Sequence, residues 1–310
     1  MAKLKILVLF SGGLDSLATV KLLQEQDLDI ETVYFKLPFG GGCGNKIDQI
    51  IKFNQENNIK LHMIDLTKGK LFQDYLKIIK NPIYGTGTAI NPCKDCKIFM
   101  LKEAKKLAEK INAEIVATGE VVGQRPMSQL IPALKLSEEK SGLQGKLLRP
   151  LSAKLLPETD AEKEGKIDRT KLLGIQGRRR TEQINLAKKY NFEYPNSGGG
   201  CLLCEKDCAA KLSDLFSHKT DIKIEEVKLI NIGRHFRKNK KIILGRTDNE
   251  NKLLELYNKK MKYNIQIPKT PGPTILYEDT KDEPFVKKLF KAYTKGGTQK
   301  DKDYVEKYKI

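Results

Sequence analysis

Ser11, Gly12, Gly13, Asp15 and Ser16 crowd one short stretch directly after an apolar run of strand length, Lys5 to Phe10. Gly12 and Gly13 lack the Cβ that would keep backbone N–H groups away from an anion. Ser11 and Ser16 add hydroxyl donors, and Asp15 can hold the start of a helix or a metal. Leu17, Ala18, Val20, Leu22 and Leu23 follow with helical spacing. A strand feeding a helix through such a turn points the helix N-terminus at whatever sits above the sheet. A plain strand–turn–helix corner has no need of two glycines, two serines and an acid together. No Lys follows the glycines, so the stretch is not a Walker loop.

Cysteine supplies the second chemistry. Cys93 and Cys96 stand at a helix start, and Cys201, Cys204 and Cys208 follow much later, after a triple glycine. Three readings compete. One is a closed tetrahedral zinc site, Cys93 and Cys96 with Cys201 and Cys204. Another is a redox pair, Cys93 and Cys96, with the helix N-terminus lowering a thiol pKa. A third is an iron–sulfur cluster held by three thiolates, one iron left open. Spacing alone leaves all three standing. Cys43, in a glycine turn, is read as incidental.

Alternating strand and helix patterns must position these groups. Strands are expected at 30–35, 61–66, 113–118 and 146–151, and helices at 45–56, 71–79 and 98–111. This alternation predicts an α/β fold, a doubly wound parallel sheet with ligands at the strand C-termini. Gly119, Glu120 and Gln124 then lie in a turn directly after a strand. Short helices are expected at 168–173 and 180–190, and Arg178 to Arg180 reads equally as a phosphate grip or a solvated helix start. Beyond residue 219 the pattern becomes strand-like at 227–232, 241–244 and 274–277 around one helix, 250–257. The polar, lysine-rich stretch 295–310 is expected to be mobile. The predicted division is therefore 1–218, holding the phosphate loop and the cysteines, and a smaller α+β domain, 219–310.

The chain of 310 residues carries 57 Lys and Arg against 39 Asp and Glu, a net charge of +18. Residues 221–310 alone carry 22 basic against 13 acidic side chains. Such an excess attracts polyanions, RNA or DNA above all. No stretch reaches membrane-spanning length, and the first apolar run is too short for a signal segment. A cytoplasmic protein with no membrane partner is expected, its six cysteines serving metal or catalysis rather than a disulfide framework.

Ser11-Gly12-Gly13-Leu14-Asp15-Ser16 resembles the SGGxDS signature of the PP-loop pyrophosphatases, which split ATP into AMP and pyrophosphate. Asn91-Pro92-Cys93 to Cys96, Thr118-Gly119-Glu120 with Gly123-Gln124 and Ser128-Gln129, and Gly200-Cys201 occur in order after it. Together these resemble the PP-loop tRNA thiouridine synthases, the ThiI-like 4-thiouridine branch most closely, over roughly residues 5–205. The resemblance implies an adenine nucleotide alpha hydrolase-like fold and an ATP-dependent tRNA sulfurtransferase. It implies ATP at Ser11, Gly12, Gly13, Asp15, Ser16, Gly119 and Gln124, with Mg2+ placed by Asp15. It further implies a 4Fe-4S cluster on Cys93, Cys96 and Cys201, with Asp15, Cys93 and Cys201 catalytic; zinc remains the alternative metal. The expected partners are tRNA and sulfide or a persulfide-donating protein, with a homodimer left open.

Two features depart from that branch. With the phosphate loop at residue 11, neither a THUMP domain before it nor a rhodanese domain after it is expected. The tail instead resembles the NFACT-R module at Gly233 to Phe236, Ile242 to Arg246, Asp248 to Asn251 and Pro271 to Thr274. RNA contact is expected there from Arg234, His235, Phe236, Arg237 and Arg246, the phenyl ring stacking on a base. A 2-thiouridine synthase, and a zinc-containing enzyme resembling 7-cyano-7-deazaguanine synthase, are the alternative activities. A non-catalytic RNA-binding protein is the third class.

Overall fold

The computed structural model describes residues 3–40, 47–195 and 201–310. The chain divides into two compact units, Met1–Leu202 and Leu203–Ile310. In the first unit, five parallel strands form one sheet: β1 (Leu4–Leu9), β2 (Leu28–Lys36), β3 (Lys60–Asp65), β4 (Ile115–Thr118) and β5 (Leu147–Leu148). Ile6, Leu7 and Val8 of β1 are fully buried, as a central strand covered on both faces must be. The strand order is β3-β2-β1-β4-β5, the doubly wound arrangement expected from the sequence. The order in which strands are added reverses between β1 and β4, so the crevice above their carboxyl ends is the natural ligand site.

Helices α1 (Leu14–Gln24), α2 (Ile47–Glu56), α3 (Gly69–Lys80), α4 (Cys93–Ile111), α5 (Ile131–Ser141), α6 (Asp160–Lys163) and α7 (Thr181–Lys189) complete this unit. Phe10, just past β1, stacks on Phe53 of α2 with ring centroids 5.1 Å apart. Helix α5 lies in a stretch to which the sequence reading assigned no helix.

The second unit starts with α8 (Lys206–His218) and α9 (Ile224–Leu229) and is built on a four-stranded antiparallel sheet. Its strands are β6 (Arg234–Arg237), β7 (Lys241–Leu244), β8 (Asn264–Gln266) and β9 (Ile275–Tyr277), in the order β6-β7-β9-β8. Helices α10 (Asp248–Met261), α11 (Glu283–Ala292) and α12 (Gln299–Glu306) pack around it. Asp214 of α8 takes two bonds from Arg237, at 2.5 and 2.6 Å, so this helix keeps company with β6, although composition had grouped it with the residues before 218.

Two expectations are corrected here. Residues 227–232 are not a strand: α9 runs through their start, with Glu225 and Glu226 in its first turn, where acids favour a helix. Nor is the tail loose. Thr298 and Asp301 form a capping box at α12, Val305 is fully buried, and the Ile310 N–H donates to the His235 carbonyl at 3.0 Å. Among the described residues no helix is long and apolar enough to cross a membrane.

Candidate active site

The phosphate loop is shaped by its own hydroxyls. Ser16 Oγ donates to the Gly13 carbonyl at 2.9 Å, and the Ser11 N–H donates to Ser16 Oγ at 3.3 Å. Gly12 has φ +70°, and a Cβ there would come within 2.8 Å of Ile50 Cγ1. Gly13 caps α1 without a side chain. The first N–H groups of a helix have no intrahelical partner, so an uncapped, glycine-led start can receive an anion.

Asp15 connects this loop to the turn after β4 and to α7. Gln124 Nε2 donates to Asp15 Oδ2 at 2.7 Å, Gln183 Nε2 donates to Gln124 Oε1 at 3.1 Å, and Arg180 Nη2 stands 3.9 Å from Asp15 Oδ2. Asp15 Oδ1 and Gln183 Oε1 are buried without a hydrogen-bond partner. A carboxylate oxygen left open beside an anion cradle fits Mg2+, a hard cation that takes oxygen ligands. Gly119 is required sterically, since a Cβ there would lie 2.8 Å from the Asp15 carbonyl oxygen. Ser152 fixes the turn by accepting from the Val122 N–H and donating to the Ile175 carbonyl, at 3.0 and 2.7 Å. The Gly177 N–H donates to the Val122 carbonyl at 2.7 Å, which sets where Arg178 to Arg180 begin. Arg178 and Arg179 are exposed; of the three arginines, only Arg180 reaches Asp15 in the described structure.

Glu120, 2% exposed, lies under the crevice. Thr118 Oγ1 and Arg149 Nε approach its Oε2 at 3.1 and 3.4 Å, and Lys97 Nζ faces its Oε1 at 3.5 Å. Burial works to raise the Glu120 pKa, but Lys97 and then Arg149 outweigh it and hold the carboxylate below its usual range. Lys97 follows Cys96 in sequence, and Glu120 follows Gly119. One ion pair therefore joins the cysteine helix to the nucleotide crevice.

The loop before α4 is folded around Asp95 and Asn91. Asp95 accepts from the Ile83 and Tyr84 N–H groups at 2.8 and 3.1 Å. Asn91 Nδ2 donates to Cys93 Sγ at 3.3 Å, and the Tyr75 hydroxyl lies 3.1 Å from Cys96 Sγ. Burial pushes the Cys96 thiol up, against the pull of Tyr75 and Lys97. Burial also drives the Tyr75 phenol well above its ordinary range, and Cys96, Cys201 and Cys93 add to that. Three thiols thus act on one hydroxyl. Among the described residues no three His, Cys, Asp or Glu side chains are close enough to hold a single ion. Cysteine thiolates are the donors that iron–sulfur clusters take, and zinc takes the same donors with a fourth ligand. Cys204 and Cys208 fall in the second unit; Cys208 is 2% exposed, its thiol pushed up to about 11 by burial, and serves as core. Cys43 and the glycines before Cys201 lie outside the described residues.

The sequence reading missed Gln183, Lys97, Arg149 and Tyr75. Gln183 carried a faint signal, one helical turn after Arg180; Tyr75 carried none.

In the second unit two of the five expected RNA contacts are corrected. His235 and Phe236 are fully buried. His235 Nε2 faces the Leu229 and Ile232 carbonyls at 3.1 and 3.0 Å, and Phe236 packs among Leu289, Val286 and Ile275. The phenyl ring cannot stack on a base. Arg237 is held by Asp214, and Arg246 Nε lies 3.0 Å from Glu250 Oε1. Arg234 lies over the Tyr293 ring at 5.0 Å, and both line a groove of about 680 Å³ with Arg246, Lys252 and Thr270.

Residues 2–155 match the family described as thiamine biosynthesis protein (ThiI), and residues 233–306 match the NFACT protein RNA binding domain. The tRNA-specific 2-thiouridylase MnmA of Campylobacter curvus is 33% identical over 121 residues, which are 38% of this chain and 35% of that protein. Its counterpart in Sulfurimonas denitrificans is 32% identical over 123 residues, with the same shares covered. The chain thus spans little more than a third of the length of the curated relatives it matches. Among solved structures, the U34-tRNA thiolase NcsA from Methanococcus maripaludis, with its 4Fe-4S cluster, aligns at TM-score 0.38 and 18% identity over 74% of this chain and 71% of that one. A 4-thiouridine synthetase–RNA complex with bound ATP aligns at TM-score 0.41 and 24% identity, over 60% of this chain and 40% of that one. The chain therefore carries, over residues 2–155, the domain that the ThiI family model describes and, over residues 233–306, the NFACT RNA binding domain.

Proposed function

We propose that the protein is an ATP-dependent tRNA sulfurtransferase that adenylates a uridine carbonyl and exchanges its oxygen for sulfur, giving 4-thiouridine. The observation that carries this reading is the run Cys96–Lys97, Glu120–Gly119, Asp15: a thiol site and an anion cradle joined by one ion pair of 3.5 Å. The ThiI-family match over residues 2–155 supports the product assignment.

A uridine oxygen is a poor leaving group, and AMP is a good one. The uridine oxygen attacks the α-phosphorus of ATP, the bond from that phosphorus to the bridging oxygen breaks, and pyrophosphate departs. Backbone N–H groups at Gly12, Gly13 and the start of α1 receive the departing charge, with Arg180 beside them. Asp15, with Oδ1 open, would hold Mg2+, which neutralises phosphate charge. Gly119 lets the turn after β4 approach the backbone at the start of α1, and Gln124, braced by Gln183, holds the Asp15 carboxylate.

A sulfur nucleophile then attacks the activated carbon. The carbon–oxygen bond breaks, AMP leaves, and loss of the sulfur's proton yields the thiocarbonyl. Cys93, Cys96 and Cys201 would hold a 4Fe-4S cluster, which supplies an open iron where inorganic sulfide can bind. Sulfide is the source, supplied as such or released from a persulfide-donating protein when an external thiol reduces its persulfide, that thiol and the donor cysteine leaving as a disulfide. The basic second unit holds the tRNA.

The identity with two 2-thiouridylases favours 2-thiouridine as a second reading. Mass spectrometry of tRNA nucleosides from a strain lacking the protein decides. Loss of 4-thiouridine is the expected result; loss of 2-thiouridine alone selects the second reading, and an unchanged profile overturns both.

A further inference from the structure

Each sulfur of the Cys93-x2-Cys96 pair meets a buried hydrogen-bond donor that adenylation does not use. Tyr75 is 1% exposed, with its hydroxyl 3.1 Å from Cys96 Sγ and Phe99 against its ring at 5.8 Å. Asn91 is 5% exposed, with Nδ2 3.3 Å from Cys93 Sγ. The amide can adopt only one orientation here. Its Oδ1 accepts from the Ala89 N–H at 3.2 Å, and a flip would set two donors face to face. A Cβ on Gly87 would collide with the same amide, so the loop is shaped to admit it.

The geometry points to Tyr75 and Asn91 as positioning residues that donate to the thiolates of Cys96 and Cys93 and so set the reduction potential of a bound 4Fe-4S cluster. The inference rests on the cluster reading above. A thiol can donate or accept, but a metal-bound thiolate can only accept, so the phenol must turn its proton to sulfur. A hydrogen bond to sulfur draws off electron density and favours the more negative, reduced cluster, which raises the potential. Removing the donor lowers it.

The test uses the full chain, reconstituted without oxygen with iron and sulfide, as wild type, Tyr75→Phe, Asn91→Ala and the double variant. Iron per chain and pyrophosphate release are expected at wild-type levels in all four. The potential, from a redox titration followed by electron paramagnetic resonance, is expected to move negative in each single variant and further in the double. Tyr75→Phe removes one oxygen and keeps the ring, so folding is not at stake. Unchanged potentials, or loss of iron from a folded Tyr75→Phe protein, would overturn the inference while leaving the cluster reading intact. A wild type that forms no iron–sulfur chromophore overturns the cluster reading, and this inference falls with it.

Discussion

At the carboxyl end of the parallel sheet, polar side chains face one another and still have atoms to offer. Asp15 Oδ1, Gln183 Oε1 and Glu120 Oε1 are buried and make no hydrogen bond. The antiparallel unit treats its polar groups differently. Asp282, fully buried, accepts from the Asn239 and Lys240 N–H groups and from Asn239 Nδ2, at 2.9 to 3.1 Å. Arg237 is spent on Asp214, and Arg246 on Glu250. Buried polar groups are ordinarily satisfied, so unmet ones mark where something else binds. By that criterion the first crevice, with three unmet oxygens, is the candidate site, while the second unit leaves one such atom among the described residues, His235 Nδ1, and its other core polar groups are scaffolding.

The largest effect that can break this contrast is Phe236→Ala. Truncating a fully buried ring should cost about 3–5 kcal/mol of stability, read by calorimetry of the full chain. Phe236→Leu should bind tRNA as wild type does; a loss of RNA affinity in that stable variant would return the ring to the binding surface. Next comes Asp15→Ala, which should slow pyrophosphate release roughly 10²–10³-fold while leaving thermal unfolding unchanged. Wild-type release from that variant would show that the open oxygens are not the active site.

Lys241 gives a smaller, pH-dependent test. Burial lowers its pKa from 10.5 to about 8, with Asp214 and Glu278 working against the fall. Between those values the unfolded chain binds a proton that the folded chain lacks, so stability rises with pH across that window. Below pH 8 the cost is complete, on the order of 3 kcal/mol. Lys241→Met should therefore stabilise the protein at pH 7, and its advantage should fade by pH 10.5; an advantage independent of pH would mean that packing, not charge, is responsible. Least of all is Arg234→Ala, which should leave stability unchanged and lower the salt-dependence slope of tRNA binding by about one unit.

The parallel sheet was legible because β1, β2 and β4 are apolar runs followed by glycine turns, a pattern that local chemistry dictates. The phosphate loop was legible for the same reason. Gln183 and Lys97 were not, because their roles arise from α7 and α4 crossing the crevice, far along the chain from Asp15 and Glu120. Tyr75 was hidden as one aromatic residue on an amphipathic helix. Val227 to Ile232 misled because a short helix buried along one side, like a strand, reads as a run of branched side chains. The tail misled through its lysines: Val305 is its single fully buried anchor, and one residue leaves no periodicity to read.

Glu120 faces Lys97 with one oxygen and Thr118 and Arg149 with the other, so it cannot answer one neighbour without being felt by the rest. Whatever free energy nucleotide binding at Gly119 passes through that carboxylate to the thiol helix, loading of the thiols must pass back in equal measure. Under the proposed function, a preparation with empty thiols and one with loaded thiols are then expected to differ as ATP binders, and an affinity measured on either describes only that state.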